Sequence, residues 1–333
     1  MAELRLQTAA SGRISTEGLT LDGVLEAIEG DGLAWLDILR PDEEVRTFLL
    51  ETMDFEELAV EDVFGDANTT AQKFQNHRFI VVKARDADNR LDTEPVAAFI
   101  TENLLITVRH STIPPLKILA RRFRRADEEQ LSLGVDFLLY EMLDAIADDW
   151  TPILNTYSSE LDELEFQVFD PNIQYDGVLE GLHNLKRQLR ESSKSIESLN
   201  TVTMRLLKPN ERLISEGVTP YFSDLNQLSL ALVKRANNYA SGATSARDSY
   251  LSNISMQLAE SNAQLTEVMT TLTIIGAIML PLTLIAGIFG MNNDDLPLEL
   301  VGGFWGIIAM MVAFAVLMLS FFWRRGWLKT FTQ

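Results

Sequence analysis

The stretch Leu272–Phe289, LTIIGAIMLPLTLIAGIF, decides the architecture, because it is uncharged over nearly the ~20 residues a helix needs to cross a bilayer. A second uncharged run extends from Leu300 to Trp323. Two buried core helices of a soluble protein are the competing explanation, and the charge distribution argues against it. From Asp248 to Trp323 there is no Lys or Arg, whereas Arg324, Arg325 and Lys329 follow at once. The segment between the runs holds Asp294, Asp295 and Glu299. By the positive-inside rule the outer ends of this hairpin are cytoplasmic and its loop lies outside. Trp305, Trp323 and Trp327 fall near the expected interfaces, where indole rings settle with their N–H groups wet. The C-terminal part thus reads as a long helix over 210–290 with a first span at about 270–290, a loop at 291–300, a second span at 301–323 and a basic tail at 324–333.

Upstream of the first span, no Pro occurs between Pro220 and Pro281 and the pattern stays helical. Roughly seventy residues at 1.5 Å each make a helix about 105 Å long. Such a helix is not stable alone and must pack against copies or neighbours. Its inner stretch offers the stripe Asn262, Thr266, Met269, Thr273, Gly276, Leu280, Thr283 and Gly287, at spacings that alternate between four and three. Leu272 fits the same seam in place of Thr273. That period of about 3.5 residues is the seam of a left-handed helix bundle. Small and polar residues on this side, against Ile274, Ile275, Ile278, Leu282 and Ile285 elsewhere, suggest a helix that lines an axis. Ordinary helix packing through small residues is the alternative.

Residues 1–115 alternate strand-like runs with helical stretches, the runs being Ala34–Ile38, Arg78–Arg85, Val96–Ile100 and Leu104–Arg109, which reads as an α/β domain. Pro114 and Pro115 close it, and residues 116–209 read as an antiparallel helix pair turning at Asp170, Pro171 and Gly177. Between Ala126 and Asp176 there are fourteen Asp or Glu and no Lys, Arg or His, while the second arm carries Lys186, Arg187, Arg190, Lys194, Arg205 and Lys208. An acidic arm of this kind is either a solvated helix face or an attractor of cations.

Composition narrows the function. With 28 basic and 48 acidic residues the net charge is −20, which repels nucleic acid and attracts cations. There is no Cys, so disulfides and thiolate metal sites are excluded, and His77, His110 and His183 stand apart. The start MAELRLQTAASGR lacks the basic and apolar regions of a signal peptide, which places the N-terminal part in the cytoplasm. No GxxxxGK[ST], HExxH or GxSxG motif occurs, so an enzyme is not expected. A membrane-tethered scaffold needs no motif and stays open.

The run LTIIGAIMLPLTLIAGIFGMN, Leu272–Asn292, followed by the tail WRRGWL, resembles the CorA family of divalent-cation channels of the GMN type. FLLYEMLDAIADDW at 137–150 and VTPYFSDL at 218–225 resemble that family's cytoplasmic arm and the start of its pore helix. The resemblance implies an α+β membrane protein: an N-terminal cytoplasmic α/β domain, a long helical stalk or funnel and two C-terminal transmembrane helices, assembled as a homopentamer of identical subunits in the cytoplasmic (inner) membrane with both termini inside. It implies transport of Mg²⁺, with Co²⁺ and Ni²⁺ also carried. Matched by position, the pore constrictions fall on Met269, Leu272, Leu280 and Thr283, and the selectivity ring on Asn292 within Gly290-Met291-Asn292. A regulatory Mg²⁺ site between subunits falls on Asp62 and Asp224, where it gives feedback gating. Two features depart from the family: the stretch from Asp248 to Met269 is longer by about two helical turns, and the loop NNDDLP lacks an aromatic residue after the Asn.

The expected chemistry follows from the ion. Mg²⁺ releases its water reluctantly, so a ring of Asn292 amide oxygens suits recognition of the hydrated ion, which needs binding weak enough to let it leave. Asp294, Asp295 and Glu299 would make a vestibule that concentrates cations. Met269 and Leu272 would make apolar rings that gate by dewetting. The related ZntB zinc transporters, possible proton-coupled carriers, are the alternative. Zn²⁺ prefers nitrogen and sulfur ligands, and the membrane part has neither Cys nor His.

Overall fold

Two strands without an exposed residue, β3 (Ala34–Leu39, AWLDIL) and β7 (Leu104–Arg109, LLITVR), lie side by side and parallel. Near-continuous apolar runs of this kind belong inside a sheet covered on both faces. The computed structural model describes residues 2–9, 14–15, 20–21, 23–25, 32–65, 68–87, 93–169, 177–210, 213–291 and 303–327. Its sheet has seven strands in the order β2-β1-β3-β7-β6-β5-β4, with β1 Glu3–Thr8, β2 Ile14–Ser15, β4 Thr70–Lys73, β5 Arg78–Arg85 and β6 Thr93–Ile100. Every pairing other than β3–β7 is antiparallel.

Side chains alternate across a strand, so Leu6, Leu36, Ile38, Ile106 and Val108 share one face. They form a core with Val45, Phe48, Leu49, Ala59, Val60 and Val63. The last six come from α1 (Glu43–Thr47), a π-helical turn (Phe48–Thr52) and α2 (Glu57–Phe64). Asp42 starts α1 by accepting from the amide of Val45 at 3.3 Å, and its other oxygen accepts from the amide of Ala2 at 2.9 Å. The remaining helices before the membrane are α3 (Pro114–Arg125), α4 (Glu128–Ser132), α5 (Val135–Phe169) and α6 (Val178–Leu206).

Helices α5 and α6 are antiparallel, since Gly181 near the start of one meets Leu164 near the end of the other. A Cβ at Gly181 would stand 2.8 Å from the Leu164 methyl, so a larger residue here would make that side chain shift. Of the turn residues, Gly177 has a φ of 107°, and Asp170 and Pro171 lie outside the described residues.

The acidic arm is neither simply solvated nor a free cation trap. Asp136 is held by Arg78, Asp149 by Arg85 at 2.8 Å, and Glu141, Asp144 and Asp148 by the single Arg122 at 3.0, 2.6 and 2.7 Å. Burial is the strongest influence on Glu141 and Asp144 and pushes both carboxyls up, against the lowering pull of Arg122.

The chain divides into two compact units, Met1–Asp248 and Ser249–Gln333, so the α/β domain and the helix pair share one body. Helix α7 spans Thr219–Phe289, preceded by a 3₁₀ turn at Glu216–Val218, and α8 spans Gly303–Arg324. The long helix thus begins later than residue 210. Pro209 interrupts helix formation after α6, while Pro220 is tolerated in the first turn of α7, where its missing N–H has no partner to lose.

Candidate ion pathway

Both apolar helices are long enough to span a membrane, and within their apolar windows only 6% and 0% of residues are buried inside the chain. Core helices of a soluble protein would be enclosed, whereas lipid leaves such surface favourable. Trp305 and Trp323 are exposed, and Trp327 stacks on Phe322 with ring centroids 5.5 Å apart.

Most of the apolar part of α7 is uncovered by its own chain, on the stripe and off it alike: Leu265, Val268, Ile275, Met279, Leu284 and Ile288 are all exposed. On the inner side of the hairpin Ile274 is buried and Ile278, Leu282 and Ile285 are half-buried. On the stripe, Met269, Leu272 and Leu280 are 69%, 64% and 74% exposed, with Thr266, Thr273, Thr283 and Gly287 exposed and Gly276 half-buried. A Cβ at Gly276 or Gly287 would meet nothing within 4 Å, so these glycines leave an open groove of about 620 Å³. Its walls include Met279, Leu284, Ile288 and Met291. Of these walls, sequence reasoning singled out only Met291, although Met279 and Leu284 lie three or four residues from stripe members and are thus their neighbours on a helix, with Ile288 one turn beyond Leu284.

Between Asn262 and Phe289 five threonines donate to the carbonyl four residues back: Thr266 to Asn262 at 2.7 Å, Thr270 to Thr266 at 2.7 Å, Thr271 to Glu267 at 3.0 Å, Thr273 to Met269 at 2.7 Å and Thr283 to Met279 at 2.8 Å. With its proton committed, each hydroxyl oxygen presents only acceptor capacity outward. That is the polarity a hydrated cation needs from a wall, because its water shell points hydrogens outward. Pro281 lies inside the continuous helix and has no N–H to give to Ala277.

At the helix end the amide of Gly290 donates to Ala286 O at 2.9 Å and that of Met291 to Ile288 O at 3.3 Å. A Cβ at Gly290 would stand 2.8 Å from the Ala286 carbonyl oxygen, so glycine is required for the chain to leave the helix here. Asn292, Asp294, Asp295 and Glu299 lie outside the described residues.

Asp62, near the end of α2, and Asp224, in the first turns of α7, are both exposed. Neither has an ion pair or hydrogen bond among the described residues, whereas the acids of α5 are largely paired. Asp224 belongs to the surroundings of Tyr140, whose phenol is pushed up to about 12, chiefly by burial and then by the negative charges of Asp144 and Glu141. Among the described residues no group of three or more His, Cys, Asp or Glu is placed to hold a metal ion.

Comparison with known proteins bears on this arrangement directly. A family model described as CorA-like Mg²⁺ transporter protein matches residues 30–325. The cobalt/magnesium transport protein CorA of Thermotoga maritima is 30% identical over 277 residues, covering 81% of this chain and 76% of that protein. The complete structure of the CorA magnesium transporter from Methanocaldococcus jannaschii matches 98% of both chains with a TM-score of 0.67 at 23% identity. The cytoplasmic domain of ZntB from Vibrio parahaemolyticus shares the fold over 77% of this chain and all of that one, with a TM-score of 0.61 at 11% identity. Two exposed apolar helices, a stripe of small and acceptor side chains and a match over most of the sequence converge: the chain belongs to the family of CorA-like Mg²⁺ transporters.

Proposed function

We propose that the protein is a homopentameric channel carrying Mg²⁺, and also Co²⁺ or Ni²⁺, through the cytoplasmic membrane, with both termini inside. The observation that carries this reading is the open stripe of α7, where Thr266, Thr273 and Thr283 commit their protons to the preceding turn and leave exposed acceptor oxygens beside the glycine gaps. Five copies facing a common axis would turn that stripe into a wall of acceptors interrupted by apolar rings at Met269, Leu272 and Leu280. Asn292 acts as the selectivity ring, after the turn that Gly290 makes possible, with Met291 packing beside it and Asp294, Asp295 and Glu299 forming the vestibule.

Asp62 and Asp224 of adjacent subunits share a regulatory Mg²⁺. Two carboxylates repel when close, and the ion converts that repulsion into an attraction that favours the closed arrangement. Loss of the ion at low internal Mg²⁺ then releases the pore helices, a population shift driven by differential affinity for two states. The absence of His and Cys from the membrane segments supports Mg²⁺ over Zn²⁺.

Replacement of the proposed filter tests the reading. Asn292→Ala is expected to abolish Mg²⁺ flux in liposomes while the oligomer measured by native mass spectrometry stays intact. Parental flux in an assembled variant would remove Asn292 from the filter.

A further inference from the structure

The face of the sheet turned away from the apolar core carries an unusual set of side chains. Alternation puts Gln7 of β1, Trp35 and Asp37 of β3, and Thr107 and Arg109 of β7 on that side. Helix α3 lies over them and leaves a cavity of about 450 Å³, with Leu116 and Ala120 on its wall. In its floor Asp37 is fully engaged, accepting from Arg109 Nη2 at 2.7 Å and Nε at 3.0 Å and from the Thr107 hydroxyl at 2.9 Å. Trp35 Nε1 in turn donates to Thr107 Oγ1 at 3.0 Å. Gln7 is the exception: it is 2% exposed, lines the cavity, and its Oε1 has no hydrogen-bond partner. An acceptor buried without a donor is costly, and a native structure accounts for each one.

The mouth supplies the second half of the argument. Lys117, Arg121 and Arg124 follow one another at four and three residues on α3 and line the cavity together with Arg5 of β1. Those three α3 cations have no ion pair or hydrogen bond among the described residues, and Arg5 is ion-paired with Glu3 at 3.7 Å. Arg122 on the same helix faces the other way and is claimed by three carboxylates. In a chain of net charge −20, four cations thus converge on one cavity of small-molecule size, three of them without an acid among the described residues and the fourth, Arg5, paired with Glu3.

From this geometry we infer a binding site for a nucleoside polyphosphate. The phosphates sit among Lys117, Arg121, Arg124 and Arg5, where charge-assisted hydrogen bonds are strongest. The nucleoside enters beside Trp35 and gives an N–H or O–H to Gln7 Oε1. The site lies in the first compact unit.

Calorimetric titration of the purified full-length protein with ATP, in the presence of EDTA so that no divalent ion contributes, tests this. Saturable binding is expected, weakened about tenfold or more in Lys117→Ala with Arg121→Ala. These two side chains are exposed, so the variant keeps the fold. Inorganic triphosphate is expected to bind more weakly than ATP, and Gln7→Leu to bring the two ligands close together. Absence of ATP binding, or binding indifferent to the rim substitutions, would overturn the site. Triphosphate binding as tightly as ATP in the parent protein would overturn the nucleoside contact. Displacement of ATP by a polyglutamate peptide at lower concentration than by triphosphate would assign the face to an acidic protein partner instead.

Discussion

Phe99 and Leu280 are both large apolar side chains in the middle of regular secondary structure, and the chain treats them oppositely. Phe99 of β6 is fully buried and stacks on Phe55 at 4.6 Å, while Leu280 of α7 is 74% exposed. The same contrast separates the two compact units. In Met1–Asp248 the apolar strand faces are covered and five acids of α5 find arginines from β5 and α3. In Ser249–Gln333 nearly all large apolar side chains remain uncovered by the chain itself. The first unit is completed by its own sequence. The second is completed by lipid and, on the proposed reading, by copies of itself.

Stability measurements sharpen this contrast most. Phe99→Ala removes a fully enclosed ring and is expected to cost about 3–5 kcal/mol. Leu280→Ala, at an exposed position, should stay within about 0.5 kcal/mol. Thermal unfolding of the detergent-solubilised protein compares the two, and a large loss at Leu280 would mean that this side chain is packed rather than facing a water-filled axis. Transport should respond the other way round. Met269→Asn or Leu272→Asn, which replace an apolar ring by a polar one, are expected to raise basal Mg²⁺ flux about tenfold with little change in unfolding temperature. Unchanged flux in both would place the gate elsewhere. Asp62→Asn combined with Asp224→Asn is expected to shift the internal Mg²⁺ concentration that half-closes the channel several-fold upward. Inhibition at the parental concentration would free this pair from the sensor role.

The effect confined to acid pH belongs to His77, which is 3% exposed and surrounded by Phe55, Phe74 and Phe99. Burial pulls its imidazole down from 6.5 to about 4. The folded state therefore refuses a proton that the unfolded chain accepts below pH ~6.5. The stabilising contribution is whole above that pH and is lost as the pH falls toward 4, amounting to about 1 kcal/mol at pH 5.5. His77→Gln should remove this part of the acid sensitivity, and an identical pH slope in the variant would contradict the assignment.

Sequence patterns revealed those parts of the fold in which periodicity and burial coincide. The four runs from Ala34 to Arg109 are strands, and the uncharged run Leu272–Phe289 forms the end of one continuous helix, α7. Strands β1, β2 and β4 escaped notice because ELRLQT interleaves charges, IS has two residues, and TAQK is a short polar strand at the sheet edge. The pairing of the acidic arm was hidden for a different reason. Arg78 and Asp136 are 58 residues apart and Arg85 and Asp149 are 64, so nothing local joins them. The cavity beside Gln7 was equally invisible, since it needs three strands and a helix brought together. The glycine of the GMN turn was legible as a residue that permits close approach. Its reason, the carbonyl of Ala286, required the structure.

The central claim is that this chain alone forms a Mg²⁺ pathway. It is tested most directly by ion uptake into liposomes that contain only the purified protein, with Mg²⁺ and Zn²⁺ compared with and without a proton gradient. Mg²⁺ uptake driven by its own gradient, indifferent to the proton gradient and exceeding Zn²⁺ uptake, is the predicted result. Absence of Mg²⁺ uptake by correctly assembled protein, or Zn²⁺ uptake that needs the proton gradient, would contradict it.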